Sequence, residues 1–313
     1  MSSSLDIIIV NWNSGNQLYD CLKSIQVTSK DGFNLRNVII IDNHSTDNSL
    51  EKLENIEVPL ITIKNNTNQG FGAACNQGVS KSNADYILFL NPDTRLFDKS
   101  LSIPIKVMSK KESNEIGVCG IQLIDEHKTI HRSCCNFPKT KHFLNRMTGL
   151  HYLFPKKFKT HFKTDWEHNE NSVVEHVIGA FYLIRRELFQ KMNGFDERFF
   201  VYLEDLDLSY RISKLGYKTL YLAEVNAFHR GGGTSEQVKA KRLFYSIRSR
   251  ILYGFKHFNF FTAAILFFAT LLIEPISRIC LGIIKLSLKD VKEVLKAYSM
   301  LIKDIPNIAR LSR

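Results

Sequence analysis

Residues 5–25, LDIIIVNWNSGNQLYDCLKSI, read as a strand, a tight turn and a helix in direct succession. Residues 5–12 are almost continuously apolar, the pattern of a strand buried on both faces. Leu18, Cys21, Leu22 and Ile25 then fall at i, i+3, i+4 and i+7, one stripe of a helix. The same unit recurs outward from there. Residues 38–41 (VIII) predict a second strand ending at Asp42, with Ser45 or Asp47 placed to cap a helix behind it. Residues 60–63 predict a short third strand and 70–79 the start of another helix. Residues 86–90 (YILFL) predict a fourth strand, running into Asn91-Pro92-Asp93. Four such units in about 90 residues imply a parallel sheet with helices on both faces.

After Asp93 the rhythm loosens. A strand is expected over 116–123, a variable loop or insertion over 137–170, and a strand or strand pair over 173–184 with Gly179 at a close approach. A helix opening on acids follows over 204–215, then a strand over 218–223 and a glycine-rich turn over 229–233.

Of the 313 residues, 44% are apolar and 23% charged, which excludes a disordered chain, a collagen-like chain and a multi-span membrane protein. Six cysteines without CxxC spacing read as reduced thiols of a cytosolic protein. The opening MSSSLDIIIVNW has neither the basic stretch nor the apolar length of a secretory signal.

The net charge of +11 is concentrated at one end. Residues 239–313 hold fourteen Lys or Arg against Glu274, Asp290, Glu293 and Asp304, which is +10, so residues 1–238 carry +1 by difference. We therefore expect a near-neutral body over 1–238, with halves near 1–97 and 98–238, and a basic, apolar helical tail over 239–313. The uninterrupted apolar run in the tail, 260–273 (FFTAAILFFATLLI), is 14 residues, shorter than the ~20 a spanning helix needs. Glu274-Pro275 then interrupts it. Core helices with solvated basic faces would give this pattern. So would amphipathic helices at a membrane surface with cations toward anionic headgroups, and that second reading is the one we carry. Nucleic acid is not the expected partner, because the basic residues are interleaved with aliphatic and Phe runs.

The first turn, Asn11-Trp12-Asn13-Ser14-Gly15, is neither GxGxxG nor GxxxxGK[ST], so neither a dehydrogenase fingerprint nor a Walker phosphate cradle is present. In an open parallel sheet, functional residues lie at the carboxyl ends of strands, where Asp42 and Asp93 fall. Asp42 could accept from a base or ribose, and Asp93 could hold a divalent metal on a diphosphate. Taken singly, each is also an ordinary turn or cap aspartate.

The order IIIVNWNSG, IDNHSTDNS, NNTNQGFGAACNQG, YILFLNPD resembles the nucleotide-sugar half of family 2 glycosyltransferases. The later run GAFYLIRRELFQKMNGFDERFFVYLEDLDLSYRISKLGYK resembles their acceptor half, in its rhamnosyltransferase-like branch, and FHRGGGTS stands where that family places a metal-binding histidine. The likeness spans residues 5–235. It implies a GT-A fold with a central, mostly parallel sheet, and an inverting transfer assisted by Mn2+ or Mg2+.

Carried residue by residue, the resemblance makes Asp205 the catalytic base and Glu204 its orienting partner or an acceptor contact. The bland alternative for EDLDL is an acidic first helical turn, stabilised by the helix dipole. Asp93 becomes the metal ligand with His229 completing the site, and Arg230 faces the diphosphate. The family usually has a second aspartate where this chain has Asn91, which puts tight binding of free metal in doubt; Asn91 would reach the ribose or a metal-bound water. A lone histidine such as His229 is otherwise a packed or surface residue. Val10, Asn11, Asn13 and Asp42 would line the nucleoside pocket, with Asn68, Gly70 and Asn76 nearby, though Asn and Gly are also the usual turn residues. Gly179 and Ala180 would border the donor sugar. His142, His151, His161, His168 and His176 are read as loop or core residues.

The resulting expectation is transfer of L-rhamnose from dTDP-rhamnose to a bacterial surface glycan or polyprenyl-diphosphate-linked acceptor. It would take place on the cytoplasmic face of the plasma membrane, with 239–313 at the inner membrane surface. A homo-oligomer is compatible with the sequence. The alternatives are the same fold with a UDP-hexose or UDP-N-acetylhexosamine donor, and a non-catalytic scaffold subunit supported only by Asn91. A nucleotidyltransferase lacks its phosphoryl-transfer constellation.

Overall fold

The computed structural model describes residues 2–231 and 238–312. The strands are β1 (Ser3–Asn11), β2 (Phe33–Asp42), β3 (Leu60–Lys64), β4 (Tyr86–Leu90), β5 (Thr94–Leu96), β6 (Ile116–Ile124), β7 (Cys134–Cys135), β8 (Ser172–Val174), β9 (His176–Val177), β10 (Phe181–Arg185) and β11 (Lys218–His229). The helices are α1 (Asn16–Val27), α2 (Phe71–Val79), α3 (Ser102–Met108), α4 (Thr140–Met147), α5 (Leu150–Leu153), α6 (Arg186–Lys191), α7 (Glu204–Lys214), α8 (Lys239–His257), α9 (Phe260–Leu272), α10 (Glu274–Ile284) and α11 (Leu288–Leu311).

The chain divides into two compact units. The first takes residues 2–136, 163–197 and 204–231; the second takes 137–162, 198–203 and 238–312. The tail expected over 239–313 thus shares its unit with two shorter segments of the chain.

The first unit is built on a nine-stranded sheet in the order β3-β2-β1-β4-β10-β6-β11-β5, with β8 also pairing β11. β3, β2, β1 and β4 are all parallel, as the strand–helix repeat predicts. β10 runs antiparallel to both β4 and β6, and β6 pairs β11 in parallel. The alternation of β1 explains why both faces are covered. Leu5, Ile7 and Ile9 pack with Leu18, Cys21, Leu22 and Ile25 of α1 on one side. Ile8 and Val10 pack with Ala74, Cys75 and Val79 of α2 and with Leu208 and Ile212 of α7 on the other. Each fully buried Leu or Ile contributes roughly 1.5–3 kcal/mol.

Three expectations need correction. No α-helix follows β2: residues 43–59 carry only a short 3-10 turn at Leu53–Asn55. The reason is that Ser45 and Asp47, read as helix-capping chemistry, bond instead to the turn after β1, and Ser49 bonds to Asn11 at the end of β1. The last strand extends to His229, through an irregular register between Leu222 and Asn226. The supposed loop of 137–170 contains α4 and α5.

The second unit is helical. Pro275 sits in the first turn of α10, where a missing N–H costs nothing, so α9 and α10 are separate helices with only Ile273 between them. Residues 260–284 together are long and apolar enough to cross a membrane by length and composition, but only 28% of an 18-residue apolar window within them is buried. Its one acid, Glu274, is fully buried. It accepts hydrogen bonds from Arg250 and from Arg278 Nε (2.9 Å). Burial pushes its carboxyl up, and the two guanidinium charges more than offset that and hold it below the usual range.

Candidate active site

Because β1, β2 and β4 run parallel, Asn11, Asp42 and residues 91–93 all leave the sheet at its carboxyl edge. Asn11 is fully buried. Its amide donates to Asp42 Oδ1 (2.7 Å), Ser49 Oγ (2.8 Å) and Ser45 Oγ (3.1 Å), so it orients Asp42 from beneath. The other Asp42 oxygen accepts the Ser45 N–H (3.2 Å). Asn13 has a positive φ of 50°, and its side-chain oxygen accepts the Thr46 N–H (2.7 Å). Gly15, at φ 56°, takes a conformation that suits glycine and gives its N–H to Asp47 (2.8 Å). Val10 packs into the core on the α2 face.

A second loop closes beside this one. Asn68 accepts the Gly70 N–H (2.9 Å), and Asn43 donates to the Gly70 carbonyl (3.0 Å). Asn43 was not singled out from sequence, although it follows Asp42 directly. Asn76 faces elsewhere: its amide exchanges hydrogen bonds with the Phe195 backbone and donates to Glu197 (2.9 Å each).

The pairing of β5 with β11 sets His229 opposite Thr94, which brings Asp93 Oδ1 to 3.5 Å from His229 Nε2. The Arg230 N–H donates to the Asp93 carbonyl (3.2 Å), while the Arg230 side chain is exposed. The His131 ring stands edge-on to His229, 5.6 Å between centroids, and burial pushes His131 down. Among the described residues, the buried His229 Nδ1 has no hydrogen-bond partner. Of the glycine-rich turn, Gly232 and Gly233 lie outside the described residues.

Asn91 links this corner to the next. Its N–H donates to the Ala180 carbonyl (3.1 Å), which also receives the Thr94 hydroxyl (3.4 Å). One residue earlier, the Gly179 N–H donates to Asp205 Oδ2 (2.7 Å). A Cβ at Gly179 would stand 3.1 Å from that oxygen, so glycine is what allows the approach. Asp205 Oδ1 accepts the Leu206 N–H (2.8 Å), and the Asp205 side chain stays 19% exposed. Glu204 is its opposite: it is buried, and Oε2 has no partner among the described residues. Burial first, and then the neighbouring Asp205 charge, push the Glu204 carboxyl well up. Tyr202 and Leu203, just before the pair, have φ of 71° and 68°, strained for side-chain-bearing residues. Asp207 is fully buried and pairs with Arg211 (2.8 Å), whose other nitrogens hold the Met192 and Gly194 carbonyls.

Two corners therefore share one sheet edge: a carboxylate–imidazole pair and a partly open carboxylate beside a fully buried carboxyl. The family model for glycosyl transferase family 2 matches residues 6–192, more than half of the chain.

This chain belongs to glycosyltransferase family 2.

A second model, glycosyl transferase family group 2, matches 118–297. Among curated relatives, the rhamnosyltransferase WbbL of Escherichia coli K12 is 30% identical over 54% of this chain, which spans 61% of that protein. The N-acetylglucosaminyl-diphospho-decaprenol L-rhamnosyltransferase of Mycobacterium tuberculosis is 23% identical, over 73% of this chain and 76% of the relative. Both of these relatives are rhamnosyltransferases by name. The GT-A fold is shared with GalNAc-T7, solved with UDP, GalNAc and Mn2+ (TM-score 0.54, 17% identity, 73% of this chain and 43% of that one). It is shared too with the mannosyltransferase PcManGT of Pyrobaculum calidifontis, solved with GDP-Man and Mn2+ (TM-score 0.54, 13% identity, 98% and 78%).

Among the described residues no group of three or more His, Cys, Asp or Glu side chains could enclose a metal. Asp93 and His229 fit a divalent ion as a partial donor set. A carboxylate oxygen and an imidazole nitrogen already face each other there, and diphosphate oxygens would supply the remaining positions.

Proposed function

We propose that this family 2 enzyme is an inverting rhamnosyltransferase. It takes L-rhamnose from dTDP-rhamnose and passes it to a glycan acceptor carried on a polyprenyl diphosphate lipid, on the cytoplasmic face of a bacterial plasma membrane. The observation that carries this reading is the Asp205 carboxylate, held by the Gly179 N–H on the sheet edge that also bears Asp93 and His229. The named activities of the sequence relatives support the sugar.

In this reading Asp205 accepts the proton of the acceptor hydroxyl as that oxygen attacks the anomeric carbon. The bond to the β-phosphate breaks with its electron pair going to the diphosphate. A Mn2+ or Mg2+ held by Asp93 and His229 would supply positive charge to that leaving group. Arg230 adds a second positive charge beside the same corner. Asp42 and Asn13 face the nucleoside, Asn68 and Gly70 shape the loop over it, and Gly179 and Ala180 border the sugar. Burial and the Asp205 charge push the Glu204 carboxyl up, which opposes a second negative charge beside the base.

Membrane attachment is argued from α9 and α10. Phe261, Ile265, Phe268, Leu272 and Ile276 follow one another at helical spacing and are each more than half exposed. With the +10 of residues 239–313 around them, they suit an anionic lipid surface.

Release of nucleoside diphosphate tests the whole reading. The purified chain is given dTDP-rhamnose, UDP-hexoses and UDP-N-acetylhexosamines, with Mn2+, Mg2+ or a chelator, and a membrane-lipid extract as acceptor. Turnover of dTDP-rhamnose alone, metal-dependent and reduced ~100-fold or more in Asp205→Asn, is the expected result. Preference for a UDP-sugar would replace the donor and leave the mechanism standing. Full activity of Asp205→Asn would remove the base assignment.

A further inference from the structure

His176 was read from sequence as a loop or core histidine, and it is buried. Its surroundings are more particular than that. The Nδ1 atom lies 2.9 Å from Ser209 Oγ, and Ser209 Oγ lies 2.9 Å from the Tyr182 hydroxyl. The Nε2 atom faces Asp205 Oδ2 at 3.7 Å. Burial pushes His176 down, so the ring is neutral near pH 7 and carries one N–H. A phenol hydroxyl donating to Ser209 leaves the serine proton for Nδ1. The imidazole hydrogen is then on Nε2, aimed at the carboxylate.

We propose that His176 is a positioning residue for Asp205, locked as the Nε2–H tautomer by the Tyr182–Ser209 chain, and that it thereby makes Oδ1 the atom that receives the acceptor's proton. The argument is one of lone pairs. Oδ2 already accepts the Gly179 N–H, and His176 Nε2 stands 3.7 Å from that same oxygen. Among the described residues Oδ1 accepts the Leu206 N–H alone, which leaves one lone pair for the substrate hydroxyl. The present 3.7 Å is longer than a hydrogen bond, and about 0.7 Å of approach would close it. Such tightening on substrate binding is usual for catalytic contacts. In the transfer step the acceptor O–H proton moves to Oδ1, the new C–O bond forms at the anomeric carbon, and the electron pair of the broken bond leaves with the diphosphate. His176 neither gains nor loses a proton.

The inference rests on Asp205 being the base, so its test has one arm independent of activity. Imidazole 15N NMR of the full chain, with His176 assigned by its loss in His176→Gln, should show a protonated Nε2 and a bare Nδ1. The Nδ1–H tautomer would overturn the proposal even if the enzyme turns over as expected. The kinetic arm compares His176→Leu, His176→Gln and Ser209→Ala. We expect kcat to fall ~10–100-fold in His176→Leu, with donor KM within about twofold and melting temperature within a few degrees. His176→Gln, which returns an N–H near the Nε2 position, should recover most of that loss. Ser209→Ala touches no atom of Asp205; it should lower kcat several-fold and return signal from the other tautomer, and it decides the matter if His176→Leu does not fold. Equal losses in the Leu and Gln variants, tracking their melting temperatures, would reduce His176 to a packing residue.

Discussion

Glu204 and Asp205 are adjacent carboxyls in opposite settings, and the difference can be measured. Above the ordinary carboxylate range the unfolded chain carries Glu204 ionised while the fold resists its ionisation. Its contribution to stability therefore falls as pH rises. Glu204→Gln removes that dependence. The variant should match the wild type in melting temperature near pH 4 and exceed it increasingly toward pH 8, by a few degrees for ~1 kcal/mol, while transfer activity falls. A melting temperature below wild type at pH 8 would show instead that the ionised carboxylate is stabilised in the fold. Across the sheet edge, His229→Ala leaves Asp93 alone. The Mn2+ concentration giving half-maximal activity should rise ~10-fold or more, with little change in melting temperature. An unchanged metal requirement would take His229 out of the metal site.

At the scale of elements, α9 and α10 present what a water-soluble surface normally hides. Large side chains at 261, 265, 268, 272 and 276 stand on one face, while Ala263, Leu266 and Ala269 are buried. Phe268→Ser with Ile265→Ser should leave the donor hydrolysis rate unchanged and lower binding to vesicles containing anionic lipid, because each substitution withdraws a side chain worth roughly 1.5–3 kcal/mol when buried. Sedimentation with vesicles reads this directly, and undiminished pelleting would assign the face to another partner. The fixed point behind that face is Glu274, whose pairs with Arg250 and Arg278 occupy a site sequence alone would price as a penalty. The strand–helix repeat was legible because each period is local: β4 lies where YILFL predicts it, and β1 and β2 differ from expectation only at their ends. The missing helix after β2 was not legible. Ser45, Asp47 and Ser49 are equally good helix caps and loop ties, and only the nearby turn after β1 chooses between them.

For the whole molecule, charge and fold divide differently along the chain. The basic excess lies in residues 239–313, yet the helical unit also takes in 137–162 and 198–203. Vesicle binding should accordingly be steeply ionic: raising salt from 0.05 to 0.5 M is expected to release the protein from anionic vesicles, and neutral vesicles should retain little at any salt. Salt-independent retention would make the apolar face sufficient by itself.

The sequence by itself determined the parallel first half of the sheet, the absence of glycine-loop nucleotide motifs, the acids at strand ends and at a helix start, and the charged tail. These are properties of short windows, set by periodicity and by residue type. What only the tertiary structure decided are relations between residues far apart in the chain. Gly179 meets Asp205, His229 comes back to Asp93 through an antiparallel pairing, and His176 shares Ser209 with Tyr182. No local pattern encodes those contacts, because each depends on which strand β10 and β11 pair with, and that is settled by burying both faces of one sheet at once.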